Sequence, residues 1–269
     1  MLTRVTSGIL LAGSIVAVLV YTPWWGMGVV VAVALLLCAT EYQRMARPDA
    51  PALERLAFVV ACAAIAGYPV IAKCWPVYTH GVSFLVAFYL IAITRLARPD
   101  PIESSLRRLG LDLTGLVYLG ATFPFVLLLR DRPDGGFVLL MVMVVTFASD
   151  TGGYFAGRFL GRHKLYPKVS PKKTVEGAIG GLAMAVAGMF CARAYFPGLE
   201  GLSPLDCVLM GVLGATFAII GDLVESMMKR AFGVKDSGAL IPGHGGMLDR
   251  IDGLLFCGPF LWLYLEVIQ

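Results

Sequence analysis

The chain has 269 residues, of which 58% are hydrophobic and 15% charged, with a formal net charge of +4 and a mean hydropathy of +0.79. Soluble domains carry about 25% charged residues, so an ordinary water-soluble domain is excluded. An all-α, polytopic integral membrane protein is expected instead, with no nucleic-acid partner.

Apolar runs long enough to cross a bilayer fall at 5–21, 24–40, 56–74, 77–94, 109–129, 136–156, 174–196, 204–228 and 251–267. A span needs about 20 residues, and in lipid the backbone must bond to itself, so each run reads as a helix. The expectation is therefore about nine transmembrane helices in a single transmembrane domain, 1–269. The first run ends at Thr22-Pro23-Trp24-Trp25 and passes straight into the next, so it reads as a retained helix rather than a cleaved signal. Residues 1–140 would supply about five spans for packing, with self-association as a homodimer left open. Residues 141–269 would carry the chemistry. Six cysteines stand at 38, 62, 74, 191, 207 and 257 without C-x-x-C spacing, and they read as small apolar residues.

Lysine and arginine orient the chain. With a cytoplasmic N-terminus, all but Lys73, Arg130, Arg132 and Arg193 of the 22 basic residues fall on the cytoplasmic side. Nine spans then put Gln269 outside, and the membrane is expected to be the inner, cytoplasmic one. The basic 43–55 and 95–108 connections read as surface loops near anionic headgroups.

The connection from about Gly157 to Lys173 is rich in Gly, Pro, Lys and Arg, and it follows a helix carrying Asp150. Gly153, Gly157 and Gly161 are spaced four apart, which suits a helix–helix contact. In Ser170-Pro171-Lys172-Lys173-Thr174-Val175-Glu176, Thr174 could cap the next helix and Glu176 could serve its first turn. The lysine pair opposes the helix dipole there, and a bound polyanion would reconcile it. Ser170, Lys172, Lys173, Thr174 and Glu176 are thus candidates for phosphate binding.

Asp222, Glu225, Ser226 and Lys229 share one face of the next helix. The plain alternative for Glu225 and Lys229 is an i,i+4 pair; Asp222 lies deeper and is harder to explain that way. Arg230, Lys235, Asp236, His244, Gly245, Gly246, Asp249, Arg250 and Asp252 follow in a glycine-rich basic loop. Glycines permit positive φ and a backbone nest for phosphate oxygens. Paired carboxylates beside that nest suit a hard divalent cation carrying polyphosphate. Asp249 and Asp222 are the expected ligands, followed by Asp252 and Asp150. His244 could contact phosphate or serve as a turn residue.

The stretch Ser226-x-x-Lys229-Arg230-x4-Lys235-Asp236-x-Gly238-x2-Ile241-Pro242-x-His244-Gly245-Gly246-x-x-Asp249-Arg250-Ile251-Asp252 resembles the signature of the phosphatidate cytidylyltransferase (CDP-diacylglycerol synthase) family. Ser170-Pro171-Lys172-Lys173-Thr174-x-Glu176-Gly177, and Asp150 followed by Tyr154 and Gly157-Arg158, resemble further stretches of it. The resemblance covers about 147–255. It implies that CTP and phosphatidic acid give CDP-diacylglycerol and pyrophosphate, a step of phospholipid biosynthesis at the cytoplasmic membrane face. Mg2+ would assist, with a second cation left open. Asp222, Lys229, Arg230, His244, Asp249 and Arg250 would be catalytic. Ser226, Lys235, Asp236, Gly245 and Gly246 would join the 170–176 residues in binding substrate. The competing readings are a CTP-dependent polyprenol or dolichol kinase, and an ion-coupled transporter. The transporter predicts charges near the midplane on broken helices, whereas here they gather at helix ends.

Overall fold

The computed structural model describes residues 13, 16–99, 101–239 and 245–268. His244, Ile241, Pro242, Gln269 and most of the 5–21 run lie outside the described residues.

From Trp24 onward, ten α-helices and one small hairpin follow one another among the described residues: α1 (Trp24–Ala46), α2 (Ala52–Ala66), α3 (Tyr68–Cys74), α4 (His80–Leu96), α5 (Ile102–Gly115), α6 (Pro124–Arg130), α7 (Gly135–Phe159), β1 (Lys164–Tyr166), β2 (Ser170–Thr174), α8 (Val175–Tyr195), α9 (Pro204–Ala231) and α10 (Leu248–Ile268). Proline sets several starts. Pro23, Pro51 and Pro101 hold the extended conformation just before α1, α2 and α5.

Among the described residues, six helical segments are long and apolar enough to cross a membrane, and seven if α2 and α3 count as one bent span. These do not recover all of the expected nine, and two of the runs differ for physical reasons. The 56–74 run breaks by 60° between α2 and α3, where Gly67 precedes Tyr68-Pro69. The 77–94 run forms α4, whose 17 residues reach about 25 Å at 1.5 Å per residue, less than the ~30 Å hydrocarbon core. The 5–21 run lies mostly outside the described residues. The 109–129 run, in contrast, belongs to a single 29-residue segment, Ile102–Arg130, in which α5 and α6 flank a π-helical turn at Leu116–Gly120. The chain is an all-α polytopic membrane protein.

Helix α1 buries one stripe, Met27, Val31, Leu35, Cys38 and Tyr42, at the three- and four-residue spacing of a single face. Its final turns are polar yet buried. Gln43 donates to Asp112 Oδ1 (3.0 Å), and Arg47 pairs with Asp112 (2.7 Å) and with Glu54. Arg95 joins the same carboxylates at 2.9 and 3.0 Å. One ionic knot therefore ties α1, α2, α4 and α5 together. Removing one partner from such a knot costs about 3–5 kcal/mol, because the others remain charged and out of water.

The second half packs on small residues. A Cβ on Gly152 would strike the Gly180 carbonyl at 2.6 Å, and Gly153 and Gly157 lie against Gly177. Gly153 and Gly157 thus let α7 and α8 approach backbone to backbone, whereas Gly161, expected to share that contact, lies past the end of α7 against Thr174. Gly221 does the same for α9 and α10, since a Cβ there would fall 2.6 Å from the Asp252 carbonyl. At the far end, Ser203 and Asp206 form a reciprocal cap on α9, and Tyr264 of α10 donates to Asp206 (2.7 Å).

Candidate active site

The connection between α7 and α8 folds as an antiparallel hairpin, a local feature that hydropathy does not signal. Thr174 ends β2 and caps α8, its Oγ1 accepting from the Gly177 N–H at 3.1 Å. Glu176 accepts from the main-chain N–H groups of Arg162 (3.0 Å) and His163 (3.2 Å), and it meets His163 Nδ1 at 2.6 Å. Thr174 and Glu176 are therefore spent on holding the hairpin. Ser170 is half-buried at the start of β2.

That hairpin carries Lys172 and Lys173 to the wall of a cleft of about 450 Å³ between α7, α8, α9 and β2. Ser149, Asp150, Tyr154 and Arg158 of α7 line it, and Asp222 of α9 completes it. Lys173 Nζ stands 2.7 Å from Asp222 Oδ2, with both side chains partly exposed. Ser226 donates to the other Asp222 oxygen at 3.2 Å. Asp150, Asp222 and Asp252 lie close enough to repel one another. The sequence carries these three acids on separate helices, and folding brings them together at one end of the bundle.

A second cluster lies beside the first. Lys229 is buried between Glu225, one turn back, and Asp249, whose Oδ1 is 2.6 Å away. The Glu225–Lys229 pair that spacing suggested is thus present. Asp249 Oδ2 accepts from the Ser237 N–H (2.9 Å), the Ser237 hydroxyl (2.9 Å) and the Gly246 N–H (2.8 Å). Gly245 has φ +84°, and a Cβ there would lie 2.6 Å from the same carboxylate. The glycine turn expected to form a phosphate nest closes on Asp249 through the Gly246 N–H. Arg230, Lys235, Asp236 and Arg250 are exposed around this cluster, and Arg230 donates to the Val234 carbonyl at 3.2 Å.

Among the described residues, no three His, Cys, Asp or Glu side chains converge as a ready cation cage. Mg2+ does not require one, since it usually keeps several waters and takes one or two carboxylates plus substrate phosphates. Asp150 and Asp222 on the cleft wall fit that pattern. So does the buried Ser149 hydroxyl beside them, which has no hydrogen-bond partner. The expected pairing of Asp222 with Asp249 fits less well, because both Asp249 oxygens are engaged by protein donors.

Sequence reasoning missed three participants. Ser237, in the α9–α10 connection, stands between Glu41 of α1 and Asp249 of α10. Tyr118, in the π-helical turn, buries an unpartnered hydroxyl near Glu225, Asp252 and Asp222. Glu41 of α1 accepts from Met247 and Leu248 at the start of α10. The available signal for Glu41 was an acid near the C-terminal end of an apolar helix, where the dipole disfavours it.

Comparison with known proteins matches residues 2–268 to the model of the cytidylyltransferase family. The chain is 39% identical over 163 residues to a Bacillus subtilis protein named phosphatidate cytidylyltransferase, covering 60% of this chain and 59% of that one. It is 44% identical over 158 residues to the Brucella suis protein of the same name, 58% and 57% of the two chains. A Haemophilus influenzae protein, also so named, is 46% identical over 133 residues, 49% and 46% of the two. The matched stretches thus span less than two thirds of each relative.

Proposed function

Because the chain belongs to the cytidylyltransferase family, we propose that it transfers the cytidylyl group of CTP to phosphatidic acid, giving CDP-diacylglycerol and pyrophosphate. The observation that carries this reading is the cleft at one end of an apolar bundle. Arg158, Lys172 and Lys173 face Asp150 and Asp222 there, a charge pattern suited to a nucleoside triphosphate arriving with a divalent cation. The names of the similar proteins support the same substrates.

A phosphatidate oxygen attacks the α-phosphorus of CTP. A new P–O bond forms, the bond to the β-phosphate bridge breaks, and pyrophosphate leaves with the electron pair. The second pKa of a phosphate monoester is about 6, so the nucleophile is ionised at neutral pH and no side chain need remove a proton. The barrier is repulsion between two anions, and the protein lowers it by fixed charge and in-line placement. Lys172 and Arg158 neutralise phosphate oxygens at the cleft. Lys173, restrained by Asp222, is held where a phosphate must enter. Asp222 and Asp150, with Asp252 beside them, would hold a divalent cation, which would supply positive charge against the phosphates and the leaving pyrophosphate.

With 5–21 and α4 counted as spans alongside the seven helical segments, the asymmetry of Lys and Arg supports a cytoplasmic cleft in an inner membrane. CTP and the inner-leaflet headgroup would both be available on that face. A cysteine at exposed position 236 should then label only from the cytoplasmic side.

The deciding experiment supplies purified protein with CTP labelled in the cytosine ring, phosphatidic acid and Mg2+, then extracts the lipid. Ring label in the lipid phase with pyrophosphate in water is expected. Release of CDP with a phosphorylated alcohol would replace this reading with a lipid kinase.

A further inference from the structure

We propose that Glu41, in the half of the chain remote from the signature motifs, is a positioning residue of the active centre. Its carboxylate holds both arms of the α9–α10 connection and so sets the orientation of Asp249 and of the first turn of α10. The inference rests on the cytidylyltransferase reading for its kinetic part only.

The geometry is specific. Glu41 is 4% exposed. Oε1 accepts from the Met247 N–H at 2.9 Å and Oε2 from the Leu248 N–H at 2.9 Å, while Ser237 Oγ lies 3.1 Å from Oε2, its single proton shared between this carboxylate and that of Asp249. The first N–H groups of a helix have no partner within it, and a negative charge there is favoured by the dipole. Here the cap for α10 comes from a residue more than two hundred positions earlier. Ser237 then bridges Glu41 to Asp249, its hydroxyl lying 3.1 Å from one carboxylate and 2.9 Å from the other.

Two motif glycines are explained by this contact. A Cβ on Gly238 would fall 2.9 Å from Glu41 Oε1, and one on Gly246 would run into Glu41 and Ser237. Both glycines make room for the carboxylate. Glu41 is itself held rigid by its neighbour. The Tyr42 hydroxyl donates to the Leu111 carbonyl (2.7 Å), and its ring stacks on Phe58 and meets Phe232 edge-on just after α9. A catalytic constellation needs such a fixed support.

Glu41→Gln keeps the volume but turns an N–H2 group toward main-chain donors. In the full-length purified protein it should lower kcat about 10–100-fold, because misplacement by an ångström costs that much. KM for CTP should stay within about threefold, since Lys172 and Lys173 sit on another element, and the unfolding midpoint should remain close to that of the unsubstituted protein. Trypsin should cut after exposed Lys235 at least about fivefold faster, relative to cutting after Lys168 in the hairpin, as the connection loosens locally. Ser237→Ala, which removes only the bridging hydroxyl, should show the same pattern more weakly, and it decides the matter if Glu41→Gln fails to fold. Normal kcat with an unchanged Lys235 cutting rate in the folded variant overturns the proposal. So does a loss of activity that merely tracks the folded fraction. If the parent protein lacks CTP-dependent transfer, that reading fails by itself. The trypsin comparison then still decides whether Glu41 holds the connection: faster cutting supports it and unchanged cutting overturns it.

Discussion

Two charged clusters lie in this protein, and they are built on opposite plans. Arg47 and Arg95 meet Glu54 and Asp112 in equal number, with every side chain 5–7% exposed. In the second half, Asp150, Asp222, Glu225, Asp249 and Asp252 face Lys173 and Lys229, and part of the group opens onto a cleft. The first cluster is electrically balanced and closed to solvent, so its charges can only hold helices together. The second has an excess of acid that a cation could neutralise, and a basic rim that a polyanion could meet. An ionic group that balances itself serves the fold, and one that does not leaves charge for a ligand to neutralise.

The sharpest test of that contrast is Asp222→Asn. It should abolish most turnover, by roughly 100-fold or more, because Mg2+ tolerates poorly the loss of an oxygen ligand. The protein should still insert and purify, and a thermal-shift control checks this. Asp249→Asn offers a comparison: turnover at low Mg2+ that recovers as Mg2+ rises assigns the metal to Asp249, whereas a loss that Mg2+ does not repair assigns Asp249 to loop geometry.

Asp112→Ala should invert the pattern. It leaves Arg47 and Arg95 buried with one carboxylate, and a destabilisation of about 3–5 kcal/mol is expected. Denaturation in detergent would register it, while turnover per folded molecule should stay near normal. Equal loss of turnover in the folded fraction would erase the distinction between the clusters.

Lys172→Ala should raise KM for CTP, by about fivefold to tenfold, since a single charge-assisted contact contributes about 1.5–3 kcal/mol at most before solvent screening. Lys173→Ala should do the same and also lower kcat, because it frees Asp222. Steady-state kinetics with varied CTP separates the two effects.

The smallest effect belongs to Lys73→Ala. Its partner Asp131 is 2.5 Å away, but both side chains are almost half exposed. Exposed pairs contribute about 0–1 kcal/mol, and the Trp24 ring under Lys73 Nζ adds about 0.5–1 kcal/mol, so the unfolding midpoint should fall only slightly and turnover should not change.

Sequence patterning alone determined the class of this protein. Long apolar runs in a medium that cannot bond to backbone leave only helices, and fixed spacing in 226–252 carries the family likeness whatever the packing. Relations within one helix were also legible, as with Glu225 and Lys229, because the helical repeat puts residues four apart side by side. The glycine contact between α7 and α8 was legible for the same reason. Tertiary structure alone decided which groups from different helices converge. Asp222 meets Lys173 and lies by Asp150 and Asp252, while Asp249 turns to Lys229, Ser237 and Gly246. Glu41 reaches α10 across more than two hundred residues. Periodicity fixes directions about a single axis, whereas convergence depends on how axes cross and how closely backbones approach. The glycines at 177 and 221 control that approach, and Gly246 admits the Glu41 carboxylate; their effect appears only once the helices are packed.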